Sequence, residues 1–374
     1  MIYLDNSATT HHKPICVIKS ALRGLREYSI NPNRSGHNLA IKTQEEVYKC
    51  REKLANYLGT TTENVIFTSG CTMAINLGLL GTAKKNGHII TTIFEHNSVL
   101  RVLEKLKKTH NISYTVLTPN KNGNINTNDI IKNIKKNTYM VIVNHTSNVT
   151  GATQNIQAVG KICKKNNLLL FVDGAQSIGH EKINMQEYNI NLLALAGHKS
   201  LYGPQGIGAL LINDCTVEPL IYGGTGTESD KLKQPEAYPE GLESGTQNII
   251  GILGLSSAID FISKKQDKIN KKISSLTQYL IKELNNIKYV DVYSGSYSSG
   301  VVAFTIKNKD SSTVSNILNE VYNIATRSGL HCAPLVHKYY KTIKNGMTRI
   351  SISYFNSKRD IDKTITAIEK IALS

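Results

Sequence analysis

Short apolar runs rich in β-branched residues alternate with amphipathic segments through the first two thirds of the chain, and this alternation constrains the fold most. The amphipathic segments at 37–58, 72–84 and 154–165 have a helical period, and the apolar runs have the length of buried strands. These runs read NVIFTSG, HIITTIFEH, ISYTVL, YMVIVNHTSN, LLLFVDGAQS, LLALAGHK and GIGALLI. We therefore predict an α/β fold with a mostly parallel sheet sandwiched by helices.

The last third of the chain has a different pattern. A long helical stretch from about 249 to about 285 precedes the strand-like runs VDVYSG and GVVAFTI, a helix near 311–324, the run MTRISISYF and a final helix. This order predicts a smaller α+β domain hinged on the long helix. We predict a large α/β domain over 15–255 and a smaller domain formed by 1–14 and 256–374.

The formal net charge of +16 makes nucleic acid a partner to consider. The lysines fall mostly on solvated helix faces, as in SKKQDKINKK at 263–272, without interleaved aromatic residues or a nucleic-acid motif. A lysine-rich composition explains this charge better, and we expect no nucleic-acid partner.

Neither a membrane nor an oxidising compartment is indicated. No apolar run approaches the roughly 18 residues of a membrane span, and MIYLDNSATT is unlike a signal peptide. The six cysteines form no CxxC pair, which argues against a zinc site and a disulfide framework. We expect a cytoplasmic protein with reduced thiols, no membrane contact and no bound metal.

Polar side chains follow most of the predicted strands directly. Ligands of open parallel sheets bind beyond the carboxyl ends of the strands, so these residues are the first candidates for a site. They are Ser69, Gly70, Thr72, Glu95, His96, Asn148, Asp173, Gln176, His198 and Lys199.

Three features at these strand ends suggest a common chemistry. FTSGCTMAIN is a strand, a glycine turn and a helix start, which suits one phosphate, although such a turn is often only a helix cap. Asp173 and Lys199 each end an apolar run, and each could form a structural ion pair, even with the other. Together with His96, they match what pyridoxal phosphate (PLP) requires: an amine, an acid for the ring nitrogen and a phosphate cup.

Motifs along nearly the whole chain resemble the class V branch of the fold-type-I PLP enzymes, and specifically the cysteine desulfurases with their selenocysteine lyase relatives. In family order, they are YLDNSATT, NPNRSGH, TSGCTMAIN, EHNS, NHTSNVTG, VDGAQS, GHKSLYGPQGIG, YGGTGTES, ESGTQN, RSGLHCAP and RISISYFN. The resemblance implies the fold-type-I architecture, PLP as cofactor and a homodimer.

The resemblance also implies a role for each residue around the PLP ring. Lys199 would bind PLP as a Schiff base and move the Cα proton of the substrate. His96 would stack on the ring and assist proton transfer. Asp173 would pair with the ring nitrogen, and Gln176 would hydrogen-bond the phenolic oxygen.

The phosphate and the substrate have their own implied residues. Cys71, Thr72 and His198 would cradle the phosphate, and Thr246 would reach it from the neighbouring subunit. Substrate contacts are implied for Arg349, which would grip the carboxylate, for Asn148, which also lies beside the ring, and for Arg34 across the dimer. Several positions depart from the family pattern, and none removes a catalytic group: Ser7, Ala196, Ser244 and Gln247.

Cys332, in RSGLHCAPLVH at 327–337, matches the family's nucleophilic loop cysteine, in the short-loop form. Its thiolate would attack the sulfur of the substrate. Arg327 and His331 could lower the pKa of this thiol, although His331 could equally pack the loop. We assign no role to His337 and expect it at the surface.

The predicted function is a cysteine desulfurase that converts L-cysteine to L-alanine, leaves a persulfide on Cys332 and passes the sulfur to an acceptor protein. Selenocysteine lyase is the alternative that uses the same cofactor site. A class V aminotransferase or epimerase would not need Cys332. The sequence leaves the acceptor and the pathway open, whether iron–sulfur cluster assembly, RNA thiolation or cofactor synthesis.

Overall fold

The computed structural model describes residues 1–32, 36–295 and 298–374. The helices are α1 Ile15–Glu27, α2 Asn38–Leu58, α3 Cys71–Gly81, α4 Asn97–His110, α5 Thr127–Lys132, α6 Ile156–Lys165, α7 Ile249–Ser263, α8 Gln266–Asn285, α9 Ser311–Tyr322, α10 Pro334–Tyr339 and α11 Lys358–Leu373. The strands are β1 Ile2–Tyr3, β2 Val65–Thr68, β3 His88–Thr92, β4 Ser113–Leu117, β5 Thr138–Asn144, β6 Leu169–Asp173, β7 Leu192–Ala196, β8 Gly208–Ile212, β9 Val290–Val292, β10 Val301–Ile306, β11 Ile324–Ala325 and β12 Thr348–Ser351.

A seven-stranded sheet forms the larger layer, in the order β2-β8-β7-β6-β5-β3-β4. Only β8 within this sheet is antiparallel to its neighbours, and it lies between β2 and β7. The prediction of a mostly parallel sheet is confirmed. The carboxyl ends of β2, β3, β5, β6 and β7 therefore lie along one edge, where the candidate residues follow the strands.

Helices cover both faces of this sheet. One core contains buried residues of α3 and α4, such as Ile75 and Leu103, and the other contains residues of α2, α6 and α7, such as Leu54 and Ile252. Strands buried on both faces need apolar side chains at successive positions, which is why β7 and β8 are buried throughout. Helices in the described ranges include none that is both long and apolar enough to cross a membrane.

A second, antiparallel sheet in the order β12-β10-β9 carries the C-terminal part of the chain. Its core includes residues of α8, α9 and α11, such as Leu280, Leu318 and Ile368. Strand β1 pairs in parallel with β11, so the N-terminal residues join this part. The α+β character of the smaller unit agrees with the sequence prediction, and the domain boundaries stay a prediction.

The single long helix expected over 249–285 was wrong, because the chain breaks it at Lys264 and Lys265. Lys265 has φ −133° and ψ 5°, which is outside the helical region. The break has a packing reason. Helix α7 is buried in the core of the large sheet, whereas α8 runs from that core, at Ile269, into the core of the small sheet, at Leu280.

Candidate active site

The turn after β2 forms the base of the site. Gly70 precedes α3, and the first N–H groups of α3 have no partner within the helix, so they suit an anion. Thr72 is exposed at this helix start. Gly208 on β8 packs directly beneath the turn, since a Cβ at Gly208 would lie 2.7 Å from Gly70 Cα.

Asp173, the last residue of β6, is buried and accepts hydrogen bonds on both carboxylate oxygens. Ala175 N donates to Oδ1 at 3.0 Å, Cys71 Sγ lies 3.5 Å from Oδ1, and Asn144 Nδ2 lies 3.4 Å from Oδ2. Burial and the charge of Asp173 raise the pKa of Cys71 well above the usual thiol value. Cys71 therefore acts as a hydrogen-bond donor to Asp173 rather than as a thiolate.

Lys199 follows β7 at the same edge. Burial lowers the pKa of this lysine, and the neighbouring Cys71 and Asp173 oppose that shift. Within residues 36–295, no N···O distance of 4.0 Å or less joins Lys199 to Asp173 as an ion pair. Neither side chain is therefore held in an ion pair with the other.

The carbonyl of His198, which immediately precedes Lys199, is held by the N-terminal segment. Thr10 N and Lys13 Nζ each donate to this oxygen at 3.0 Å, and Thr9 Oγ1 donates at 3.2 Å. Burial, with the charges of both lysines, lowers the pKa of the His198 ring to about 4. Its buried Nδ1 has no partner among the described residues.

His96 caps α4, because its Nδ1 accepts a hydrogen bond from Ser98 N at 3.0 Å. This bond assigns the ring proton to Nε2. Burial, assisted by the charge of Lys199, lowers the pKa of His96 to about 4, so the ring is neutral at neutral pH. Gln176 Nε2 donates to Ser7 O at 2.9 Å, which fixes this amide at the same edge.

Cys332 is brought to this edge by its backbone. Asn97, the residue after His96, donates its N–H to Cys332 O at 2.7 Å. His331 and Cys332 both have left-handed backbone, with φ of 50° and 57°. Arg327 adjoins Arg349, because the backbones of the two residues pair: Arg349 N donates to Arg327 O at 2.7 Å, and Arg327 N donates to Arg349 O at 3.2 Å.

The two histidines near Cys332 are buried, and the surface position predicted for His337 was wrong. His337 is 0% exposed and its ring stacks on His331, with centroids 5.6 Å apart. Burial and nearby arginines lower the pKa of His331 to about 2, so it carries no charge that could favour a thiolate. Of the two readings of His331, the structure supports loop packing.

Arg349 on β12 is 1% exposed and faces the site from the smaller sheet. Nη2 lies 2.5 Å from Asp5 Oδ1, and Nη1 donates to Asn148 O at 2.9 Å. Its buried Nε has no partner among the described residues. The guanidinium therefore keeps unused donors for a carboxylate.

The remaining predicted residues have different positions. The side chain of Asn148 points to the cysteine turn, where Nδ2 donates to His331 O at 2.7 Å, and its buried Oδ1 is unpartnered within the described chain. Thr246 is exposed on the loop before α7 and lines a cleft with Ser69 and Gly206. Arg34 lies outside the described residues.

Sequence reasoning gave no role to two acidic residues near the site. Asp5 pairs with Arg349 across 344 positions of sequence, and only its place in YLDNSATT marked it. Glu95 ends up fully buried, where Oε1 accepts bonds from Thr92 Oγ1 at 2.7 Å and Asn144 N at 3.0 Å. Asn144 could have been recognised as the polar end of the apolar run YMVIVN.

Comparison with known proteins identifies the family of this chain. The family described as "Aminotransferase class-V" matches residues 2–364. A probable cysteine desulfurase of Borreliella burgdorferi is 33% identical, over 99% of this chain and 92% of the relative. The cysteine desulfurase IscS of Dictyoglomus turgidum is 29% identical, over 99% of this chain and 94% of the relative.

Solved structures are similar over the whole chain. The apo structure of the cysteine desulfurase from Thermococcus onnurineus NA1 gives a TM-score of 0.92 at 30% identity, covering 100% of this chain and 94% of that one. The cysteine desulfurase CsdA of Escherichia coli, in an S-sulfonic acid form, gives a TM-score of 0.87 at 25% identity, covering 99% and 94%.

Proposed function

This chain belongs to the class-V aminotransferase family, and from that premise we propose that it is a PLP-dependent cysteine desulfurase. One observation carries the proposal: Asn97 N binds Cys332 O at 2.7 Å, which holds a thiol beside His96 at the edge that also bears Lys199. An aminotransferase or epimerase needs the lysine and the acid but has no use for that thiol.

The residues present fit PLP. Lys199 has a lowered pKa and no ion pair with Asp173, so its amine can bond the cofactor aldehyde. Asp173 offers a buried carboxylate for the ring nitrogen, and the start of α3 offers N–H groups for the phosphate. His198, which immediately precedes Lys199, keeps a buried Nδ1 that has no partner among the described residues. When bound, PLP supplies an electron sink for the pair left at the substrate Cα.

The chain's own residues orient the substrate and move its protons. Arg349 binds the carboxylate through the donors that Asp5 and Asn148 leave unused. Lys199 takes the Cα proton of the substrate and, after the carbon–sulfur bond has broken, returns a proton to Cα. The neutral His96 ring holds its proton at Nε2, where it can donate a hydrogen bond to the substrate.

Cys332 supplies the nucleophile for sulfur transfer. Its thiolate attacks the substrate sulfur, the new sulfur–sulfur bond forms, and the carbon–sulfur bond breaks with its electron pair passing to carbon. Protonation of that carbon, Cβ, and return of a proton to Cα complete L-alanine, and Cys332 is left as a persulfide. A second thiolate, on an acceptor protein, takes the terminal sulfur by the same kind of displacement.

The active unit is a homodimer, with Thr246 completing the phosphate site of the partner. Four apolar side chains on α1 support an interface, because they lie exposed with helical spacing: Ile15 at 65%, Ile18 at 45%, Leu22 at 53% and Leu25 at 55%. All six cysteines are free thiols, which suits the reducing cytoplasm.

The direct test of the function combines cofactor mapping with substrate comparison. Borohydride reduction of the PLP-loaded protein is expected to place the pyridoxyl label on Lys199, and alanine should be released from L-cysteine in the presence of a thiol reductant. Selenocysteine is assayed beside cysteine. A label on another lysine, or alanine from selenocysteine alone, contradicts the proposal.

A further inference from the structure

The turn that carries Cys332 is held in an unfavourable conformation. His331 and Cys332 are consecutive residues with φ of 50° and 57°, and neither is glycine, asparagine or aspartate. Left-handed backbone at a residue with a Cβ persists only where surrounding contacts impose it. Those contacts determine where the thiol lies.

The first set of contacts comes from the large sheet. Asn148 Nδ2 donates to His331 O, and Asn97 N donates to Cys332 O, both at 2.7 Å. The carbonyls of both strained residues are therefore fixed from the same side. Asn148 is itself fixed, because Arg349 Nη1 donates to its backbone oxygen at 2.9 Å.

The second set comes from α10, which begins at Pro334, two residues after Cys332. His337 on this helix is 0% exposed, and its ring lies against the His331 ring at 5.6 Å with an interplanar angle of 23°. Thr342 Oγ1 fixes the His337 ring through Nδ1 at 2.9 Å. Nδ1 of His331 and Nε2 of His337 have no partner within the described residues, so the two rings interact by packing.

We propose that His337 and Asn148 are positioning residues that together lock the Cys332 turn. The nucleophile is then presented at a fixed place instead of on a swinging loop, and the sulfur acceptor has to reach it there. This inference rests on the proposed function, because it concerns how Cys332 is aimed at the substrate. It also gives Asn148 a task other than contact with the cofactor ring.

Hydrogen exchange of the PLP-loaded protein tests the His337 side. The Ala333 amide, which donates to Leu330 O at 2.9 Å, reports on the turn. In His337→Ala we expect this amide to exchange about tenfold faster, which corresponds to about 1.4 kcal/mol of lost local stability. The kcat for alanine release should fall, whereas PLP affinity and the KM for cysteine stay near the parent values.

His337→Phe is the conservative variant, because it keeps a ring for His331 to stack on and loses only the bond to Thr342. Exchange at Ala333 should return most of the way to the parent rate. Tyr339→Phe is the matched control on the same helix, where it removes only the weak bond of the Tyr339 hydroxyl to Pro119 O at 3.4 Å. In Tyr339→Phe, the Ala333 amide should exchange at the parent rate.

Asn148→Asp tests the other side and keeps the proposal falsifiable if His337→Ala fails to fold. The aspartate replaces the donor to His331 O by an acceptor of the same shape, so exchange at Ala333 should again rise about tenfold. If Asn148→Asp changed the PLP affinity but left the exchange rate of the Ala333 amide unchanged, the proposal would be overturned, and Asn148 would instead contact the PLP ring. An unchanged exchange rate of the Ala333 amide in His337→Ala would also overturn the positioning role. If the parent protein released no alanine from cysteine, the proposed function itself would be rejected.

Discussion

At the scale of single residues, the site depends on buried polar groups whose partners lie in distant parts of the chain. Glu95 is the clearest case, since it is 0% exposed and Oε2 has no partner among the described residues. Burial raises the pKa of Glu95 from 4.5 to about 8, against the bonds from Asn144 and Thr92. Glu95 is therefore a protonated carboxylic acid at neutral pH.

Replacing Glu95 by Gln should remove one source of pH dependence in stability. As pH rises from 4.5 to about 8, the unfolded chain loses the Glu95 proton while the folded protein keeps it, so the parent loses stability on the order of 4 kcal/mol. Glutamine has the shape of the protonated acid and does not titrate. The free energy of unfolding from urea titrations should therefore increasingly favour Glu95→Gln between pH 5 and pH 8, roughly the interval between the two pKa values. If the difference in free energy of unfolding between the parent and Glu95→Gln stayed constant over this pH range, Glu95 would not be the titrating group.

Asp5→Asn should weaken both the fold and substrate binding. Arg349 is 1% exposed and would lose its carboxylate partner, so we expect a loss of about 2 kcal/mol in the free energy of unfolding, together with a higher KM for cysteine. The control is Asp362→Asn, which breaks the exposed pair with Lys358 and should change little. Equal effects of the two substitutions would show that Asp5 does not hold the guanidinium.

The sequence predicted the site residues that follow apolar strands, because the carboxyl ends of parallel strands lie along one edge of the sheet, where ligands bind. Lys199, Asp173 and His96 belong to this class, and the structure places them at one edge. Asp5 and His337 could not be predicted in the same way. Their partners are chosen by tertiary packing, and no local pattern distinguishes a buried histidine at 337 from an exposed one.

At the scale of elements, the alternation of apolar runs with amphipathic segments predicted the strands well, because buried parallel strands need continuous apolar runs. The break between α7 and α8 was missed, since SKKQDK contains neither glycine nor proline and its lysines and glutamine favour helix. The chain bends there because α8 enters a second core. Helix propensity alone carries no information on which core a helix enters.

Gly208→Ala should damage the turn at the start of α3. The new Cβ would lie 2.6 Å from Leu195 O and 2.7 Å from Gly70 Cα, which are both backbone atoms that cannot move cheaply. We expect PLP to bind about tenfold more weakly, roughly the effect of 1.4 kcal/mol. Gly295→Ala is the control, because no atom of the described residues is recorded within 4 Å of the added Cβ. Equilibrium PLP titrations of both variants decide the point, and equal affinities would argue against a role for this turn.

At the scale of the whole molecule, assembly should control activity. Leu22→Glu places a charge in the exposed apolar stripe of α1, so we expect a monomer in sedimentation with weaker PLP binding, because Thr246 of the partner is lost. Val321→Glu on α9, another exposed apolar position, should remain dimeric. A Leu22→Glu protein that stays a fully active dimer would place the interface elsewhere.

Cys332 is proposed to receive the sulfur of cysteine, and mapping of labelled sulfur tests this role. The PLP-loaded protein is incubated with sulfur-labelled L-cysteine without reductant, and the labelled peptides are identified beside the alanine released. The predicted result is label on Cys332 in an amount equal to the alanine, with both lost in Cys332→Ala while PLP stays bound. Label on Cys71 or Cys215, or undiminished alanine release from Cys332→Ala, would exclude Cys332 as the sulfur acceptor.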